Sequence, residues 1–204
     1  MMKKQIRTHY SAVAVTLHWL IAVAILANIP VGYLMDSEGM VDRMQQFALF
    51  QIHKSIGLTV LVLSLLRLVW RLIHKPPPLS AHLKRWEVVL AHLVHRGFYV
   101  LMIVVPLLGW AAVSVAPIGI PTLWFTLFRV PHLPYLGELS RADKAVLYEP
   151  IGDTHTILAY AMLFLFVLHV AGALKHQFLD RDGEMARMIP WLRKSAPASK
   201  LETE

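Results

Sequence analysis

The chain of 204 residues contains no cysteine. That absence excludes disulfides, thiolate nucleophiles, cysteine-ligated iron–sulfur clusters and the C-x-x-C-H attachment of a c-type heme. Charge is also scarce, at 16% of residues, and no Asp or Glu falls inside the long apolar runs. Proton relays within membranes usually recruit carboxylates, so this gap argues against a relay. No nucleotide-binding loop, nucleophile paired with a base, oxyanion-hole signature or internal repeat is visible.

What remains is apolar. Hydrophobic residues make up 56% of the chain and the mean hydropathy is +0.53, too high for an ordinary soluble domain. A hydrocarbon core of ~30 Å needs about 20 apolar residues to cross it as a helix. Runs of that length are Ala12–Met35, Phe47–Ile73, Leu90–Val115 and Thr154–Leu174. They predict an all-α membrane protein, a four-helix bundle spanning residues 1–180, with 181–204 as a tail. Arg67 and Arg71 interrupt the second run only near its end, where long side chains reach the headgroups. The first run contains His18 and lacks an A-x-A-like site, so it reads as a retained helix and not a signal peptide.

Basic residues set the orientation. Lys3, Lys4 and Arg7 precede the first helix without an acid, and Arg71, Lys75, Lys84 and Arg85 flank the second connection against Glu87 alone. The connections 36–46 and 116–153 carry more acids than bases. The positive-inside rule therefore predicts cytoplasmic N and C termini. The net charge of +7 is then largely a topology signal and implies no nucleic acid. The segment 116–153, rich in proline and aromatics at its start, is expected to cap the outer face.

Eleven histidines are many for this length. His9, His74, His82, His132 and His176 fall at loops or helix ends, where solvated imidazole is ordinary. His18, His53, His155 and His169 lie inside the spans, where an ionisable group is costly unless something satisfies it. His155 and His169 share a helix face, ~21 Å apart along its axis. With four antiparallel spans, His18 matches His169 in depth and His53 matches His155. Two imidazole pairs at two levels are what bis-histidine ligation of two stacked hemes requires. The other readings are hydrogen-bonded histidines without a cofactor, a zinc or copper site, which would need its ligands at one level, and the relay discounted above. Small residues follow each of the four by four positions, as Ala22, Gly57, Ala159 and Ala173. A porphyrin plane against a helix needs such a low surface. His92 and His95 open the third helix near the level of His18 and read as neighbours of a cofactor or a quinone pocket.

"TLHWLIAVAIL", "IHKSIGLTVLVLSLLRLVWRL", "VVPLLGWAAVS" and "THTILAYAMLFLFVLHVAGALKHQF" together resemble the bacterial cytochrome b561 family over nearly the whole chain. The resemblance implies four transmembrane helices, two b-type hemes and electron exchange with quinone. It places the heme ligands on His18, His53, His155 and His169, paired first with last and second with third. Arg67, Arg71 and Arg96 are then candidates to neutralise heme propionates. Some members resemble superoxide oxidases that pass electrons from superoxide to ubiquinone. Lys54, Arg43, Arg129, Arg141 and Lys144 are placed to attract such an anion from the periplasmic side. The alternative is a relay subunit anchoring a hydrogenase or formate dehydrogenase, with a protein as donor. A heme-free scaffold is the third class.

Overall fold

The structure, a computed structural model, describes residues 9–37, 39–78 and 83–192. Lys3, Lys4, Arg7, Glu38, His82 and the tail from 193 lie outside them. Four helices are long and apolar enough to cross a membrane. They are α1 (Ala12–Met35), α2 (Arg43–Ile73), α3 (Arg85–Val115) and α4 (Arg141–Lys175). The first matches the expected bounds, while the other three begin earlier. Capping explains this. Asp42 and Gln45 form a reciprocal box at the start of α2. The Glu87 carboxylate accepts from the Lys84 backbone N–H before α3, and Ser140 Oγ accepts from the Asp143 N–H before α4. Apolar runs reveal only the part of a helix that lipid solvates, and these polar first turns extend beyond it. Helix α4 even continues through Pro150.

The closest helix packing is between α1 and α2, α3 and α4, and α2 and α3. Ile21, Ile25, Val60, Met102, Val105 and Met162 form the buried core. Outward-facing Val23, Val62, Leu66, Phe164 and Val167 stay more than half exposed, the distribution of a bundle whose solvent is lipid.

Between α3 and α4 lies a two-stranded hairpin, β1 (Thr122–Trp124) and β2 (Phe128–Val130), with Phe125 and Thr126 at positive φ in its turn. It packs along a polar stripe of α2. Gln51 Nε2 donates to the Pro121 carbonyl at 2.9 Å, and Gln51 Oε1 accepts from the Leu123 N–H at 3.1 Å. One turn on, Ser55 Oγ donates to the Leu123 carbonyl and accepts from the Phe125 N–H. A further turn on, Thr59 Oγ1 accepts from Trp124 Nε1 at 3.1 Å. Spacing by four puts these three side chains on one helix face. Each bond contributes ~1 kcal/mol net, and leaving the groups unpaired in hydrocarbon would cost more. The expected cap therefore takes the form of a short sheet that shields α2.

At the opposite end, where residues 9 and 192 lie, the chain beyond α4 folds back. A π-turn (His176–Asp180) and two short 3-10 turns (Met185–Arg187 and Pro190–Leu192) follow α4. Trp19 Nε1 donates to the Met188 carbonyl, Arg187 reaches the Pro78 carbonyl, and Lys175 pairs with the buried Glu87 of α3 at 2.6 Å. These two ends are called the cap end and the termini end below.

Candidate functional site

Four histidines face the bundle interior in two pairs. The rings of His18 on α1 and His169 on α4 have centroids 6.1 Å apart at an interplanar angle of 67°. Those of His53 on α2 and His155 on α4 are 6.2 Å apart at 81°. Met162, midway between His155 and His169 on α4, belongs to the apolar core that separates the two levels. The depth-matched pairs expected from the sequence are thus brought together.

The spacing is a test of fit. An imidazole nitrogen lies ~2.0 Å from a bound metal and roughly 1.1 Å from its ring centre, so two axial rings on one iron sit about 6.2 Å apart. Both pairs meet that value. A single metal shared by all four is excluded, because the levels are ~21 Å apart.

The cap-end pair is wedged between helices. A Cβ placed on Gly32 of α1 would meet His53 Cε1 at 2.9 Å, and one on Gly109 of α3 would meet His155 Cε1 at 3.0 Å. Each ring therefore lies against a helix backbone that only glycine leaves bare. His155 Nδ1 is 2.9 Å from the Val105 carbonyl. Donation by Nδ1–H there fixes the tautomer and leaves Nε2 as the free lone pair. His53 Nδ1 is enclosed and has no hydrogen-bond partner of good geometry among the described residues, although the Asn28 backbone lies beside it.

The termini-end pair has aromatic company. Trp19 stands edge-on to His18 at 5.3 Å, and Phe98 and His95 stand edge-on to His169 at 5.6 and 5.5 Å. His95 Nδ1 is 2.6 Å from the Ala91 carbonyl. Arg67 donates to the Ala14 carbonyl at 2.7 Å, and its charge bears on both His18 and His169. Arg71 lies over the Tyr99 ring at 5.3 Å. His92 and Arg96 are exposed. Gly57 faces α1, where a Cβ would meet Asn28 Nδ2 at an ordinary 3.8 Å, so the helix packing does not require a glycine there.

Lys54 of α2 is not a free cation. Its Nζ donates to the Pro121 carbonyl at 3.0 Å, tying a half-buried charge beneath the hairpin. Lys144 Nζ likewise donates to the Gly137 carbonyl at 2.7 Å. Burial first, and then Lys144, Arg129 and Lys54, push the His132 pKa below its ordinary value, so this imidazole is neutral at physiological pH.

Gly32 and Gly109 escaped the sequence reading, which weighed only small residues four positions after a histidine. The available signal was a glycine soon after an in-helix proline, Pro30 before Gly32 and Pro106 before Gly109. That pattern marks places where a helix surface is interrupted and a neighbour can approach.

Two facing histidine pairs inside a four-span bundle accord with one comparison in particular: residues 9–191 match the pattern of prokaryotic cytochrome b561. The chain belongs to that family. It is 29% identical to cytochrome b561 homolog 2 of Escherichia coli (strain K12) over 181 residues, which is 88% of this chain and 90% of that protein. It is 28% identical to the probable superoxide oxidase CybB of Yersinia pestis over 181 residues, 89% of this chain and 96% of the relative. Cytochrome b561 homolog 1 of Escherichia coli (strain K12) is 26% identical over 138 residues, 68% of this chain and 73% of that protein. This member of the cytochrome b561 family is therefore a multi-pass bacterial membrane cytochrome that carries b-type heme and transfers electrons.

Proposed function

We propose that this cytochrome carries electrons across the inner membrane through two b-type hemes, from superoxide at the cap end to ubiquinone. In this reading His18 and His169 ligate the heme at the cytoplasmic termini end, and His53 and His155 ligate the heme at the periplasmic cap end. The observation that carries it is the pair of ring separations, 6.1 and 6.2 Å, each right for one bis-imidazole iron. Support for superoxide comes from the probable superoxide oxidase CybB, aligned over most of both chains.

When bound, the hemes supply one-electron redox centres without an open coordination position, so partners exchange electrons at their edges. The chain does the rest. The Val105 carbonyl orients His155, while the glycine surfaces hold both cap-end rings against rotation. The core around Met162 keeps water out between the two levels. Lys54, Arg129 and Lys144 present positive charge on the cap side, which raises the local concentration of an anionic donor. Neutral His132 adds none. Balanced, two superoxide anions, one quinone and two protons give two dioxygen molecules and one quinol.

The test begins with purified protein. A pyridine hemochrome assay should give about two hemes per chain with low-spin spectra, and superoxide should then drive quinone reduction without another protein. A heme ratio near one would break the pairing. A fully loaded sample inert to superoxide, which co-purifies with a larger redox enzyme, would favour the relay subunit.

A further inference from the structure

The hairpin between α3 and α4 is held by α2, and that attachment gives its depth. Helix α2 runs inward from the cap end, and its residues 55–66, between Lys54 and Arg67, carry no charge. At ~1.5 Å per residue they extend about 18 Å, which places them in the middle of a hydrocarbon core of ~30 Å. Ser55, whose Oγ donates to the Leu123 carbonyl and accepts from the Phe125 N–H, is two positions deeper than His53. Thr59, which accepts from Trp124 Nε1, stands five positions past Lys54 and eight before Arg67. The turn of the hairpin is thus as deep as the cap-end histidine pair, and its indole reaches further in. Arg129 marks the upper limit. Its partner across the hairpin, Leu123, is bonded to Gln51 and Ser55 on either side of Lys54, so Arg129 stands at the level of that ammonium, where a long side chain reaches the headgroups.

The chemistry of the tip agrees with that depth. Residues 116–128 include no Asp, Glu, Lys, Arg or His. Trp124 stacks on Phe128 at 5.2 Å and meets Phe125 edge-on at 5.0 Å, while Phe125, Leu127 and Phe128 are exposed. The polar groups of the tip are spent internally: the Leu127 N–H donates to the Trp124 carbonyl at 2.9 Å, and Thr126 Oγ1 donates to the Phe125 carbonyl at 2.6 Å. Irregular backbone is tolerated at membrane depth where protein covers it, and β1 lies between α2 on one edge and β2 on the other. Below the hairpin the same stripe of α2 continues as Val62 and Leu66, three and seven positions past Thr59, and both are more than half exposed. The face that carries the hairpin is therefore a lipid-facing one.

We propose that the tip, through Phe125, Leu127 and Phe128, is a lipid-contact surface seated among the acyl chains of the cap-end leaflet. The hairpin is then a re-entrant membrane element and not an aqueous cover. Trp124 closes the α2 side of the cap-end histidine level against lipid, and water-borne reactants reach that level by a route other than over this tip.

Because the chain has no cysteine, one introduced thiol reports its own surroundings. The experiment uses full-length, heme-loaded protein in nanodiscs of phosphatidylethanolamine and phosphatidylglycerol, with the single variants Leu127→Cys, Val62→Cys and Ala142→Cys treated with a hydrophilic maleimide. Ala142 is exposed in the polar first turn of α4 and serves as the aqueous reference. Maleimide needs a hydrated thiolate, so Leu127→Cys should react roughly tenfold or more slowly than Ala142→Cys, as Val62→Cys does, and catch up once unfolded in dodecyl sulfate. In wild-type protein, a phospholipid with a diazirine on its acyl chain should label the hairpin. Leu127→Cys modified as fast as Ala142→Cys in the nanodisc overturns the proposal, because the tip then stands in water. A hairpin that takes no label from the phospholipid also overturns it, and with a shielded thiol assigns the patch to a second copy or another protein. The labelling arm requires no substitution, so it decides the question for a Leu127→Cys protein that fails to load heme.

Discussion

The two ends of the bundle hold their histidine pairs in opposite ways. At the cap end, each histidine leans on a bare glycine backbone, and α2 is flanked by a hairpin that uses up its polar side chains. At the termini end, the histidines stand among rings, His95, Phe98 and Trp19, beside two arginines and a cleft. One end is held by close approach of backbone, and the other by rings and charged side chains. A tight end suits a small reactant meeting a heme edge, and a roomier end suits a larger partner. Histidine placement alone does not distinguish the ends. The surroundings do.

The harshest way to break this comparison is to remove ligands. His18→Ala and His169→Ala should each abolish the same heme, lowering the pyridine hemochrome ratio from about two to about one, while His53→Ala and His155→Ala abolish the other. Loss of one common spectral component by His18→Ala and His53→Ala would refute the levels. A gentler change sharpens the contrast. Gly32→Ala and Gly109→Ala add one methyl against His53 and His155, and should reduce occupancy or perturb the low-spin signal of the cap-end heme alone. If electron paramagnetic resonance shows both hemes unaltered, the cap end is looser than its contacts imply.

Charge comes next. Lys54→Gln keeps a donor for the Pro121 carbonyl and removes the ammonium, so superoxide-driven heme reduction should fall severalfold at low salt. The difference should shrink as ionic strength brings the Debye length to ~10 Å. A rate insensitive to both would detach Lys54 from donor capture. The smallest expected effect is a pH dependence. The His132 pKa is lower in the folded protein than in the unfolded chain, where it is ~6.5. The unfolded chain therefore binds the extra proton first, and stability falls as pH drops through that value. Thermal melts between pH 7.5 and 5 should show this loss, and His132→Gln should remove only its own share, because the buried interior histidines contribute in the same direction.

Much of this architecture was legible in the sequence. Ala12–Met35 was bounded to the residue because Ser11 and Asp36 mark its ends where the apolar run also ends. The histidine levels followed from rise per residue and antiparallel crossing. What was hidden is of three kinds. The starts of α2, α3 and α4 are polar turns fixed by local caps, so hydropathy is blind to them. Gly32 and Gly109 act across helices, and no spacing within one helix announces which neighbour will approach. Lys54 reads in the sequence as a cation open to an anionic donor because its tether, the Pro121 carbonyl, is 67 positions away.

The hairpin on α2 also bears on how the protein is made. Synthesis delivers α2 to the membrane before Thr122–Val130 exists, and the whole of α3 is made in between. During that interval Ser55 and Thr59 can donate to carbonyls of their own helix, Gln51 and Ser55, while the bonds of the Gln51 side chain all go to the hairpin segment that is still to come. Until the hairpin arrives, the Gln51 amide depends on water or on another protein for its hydrogen bonds. Assembly of this cytochrome therefore has a waiting step written into its chain order, one that ends only when a later segment reaches back to cover an earlier one.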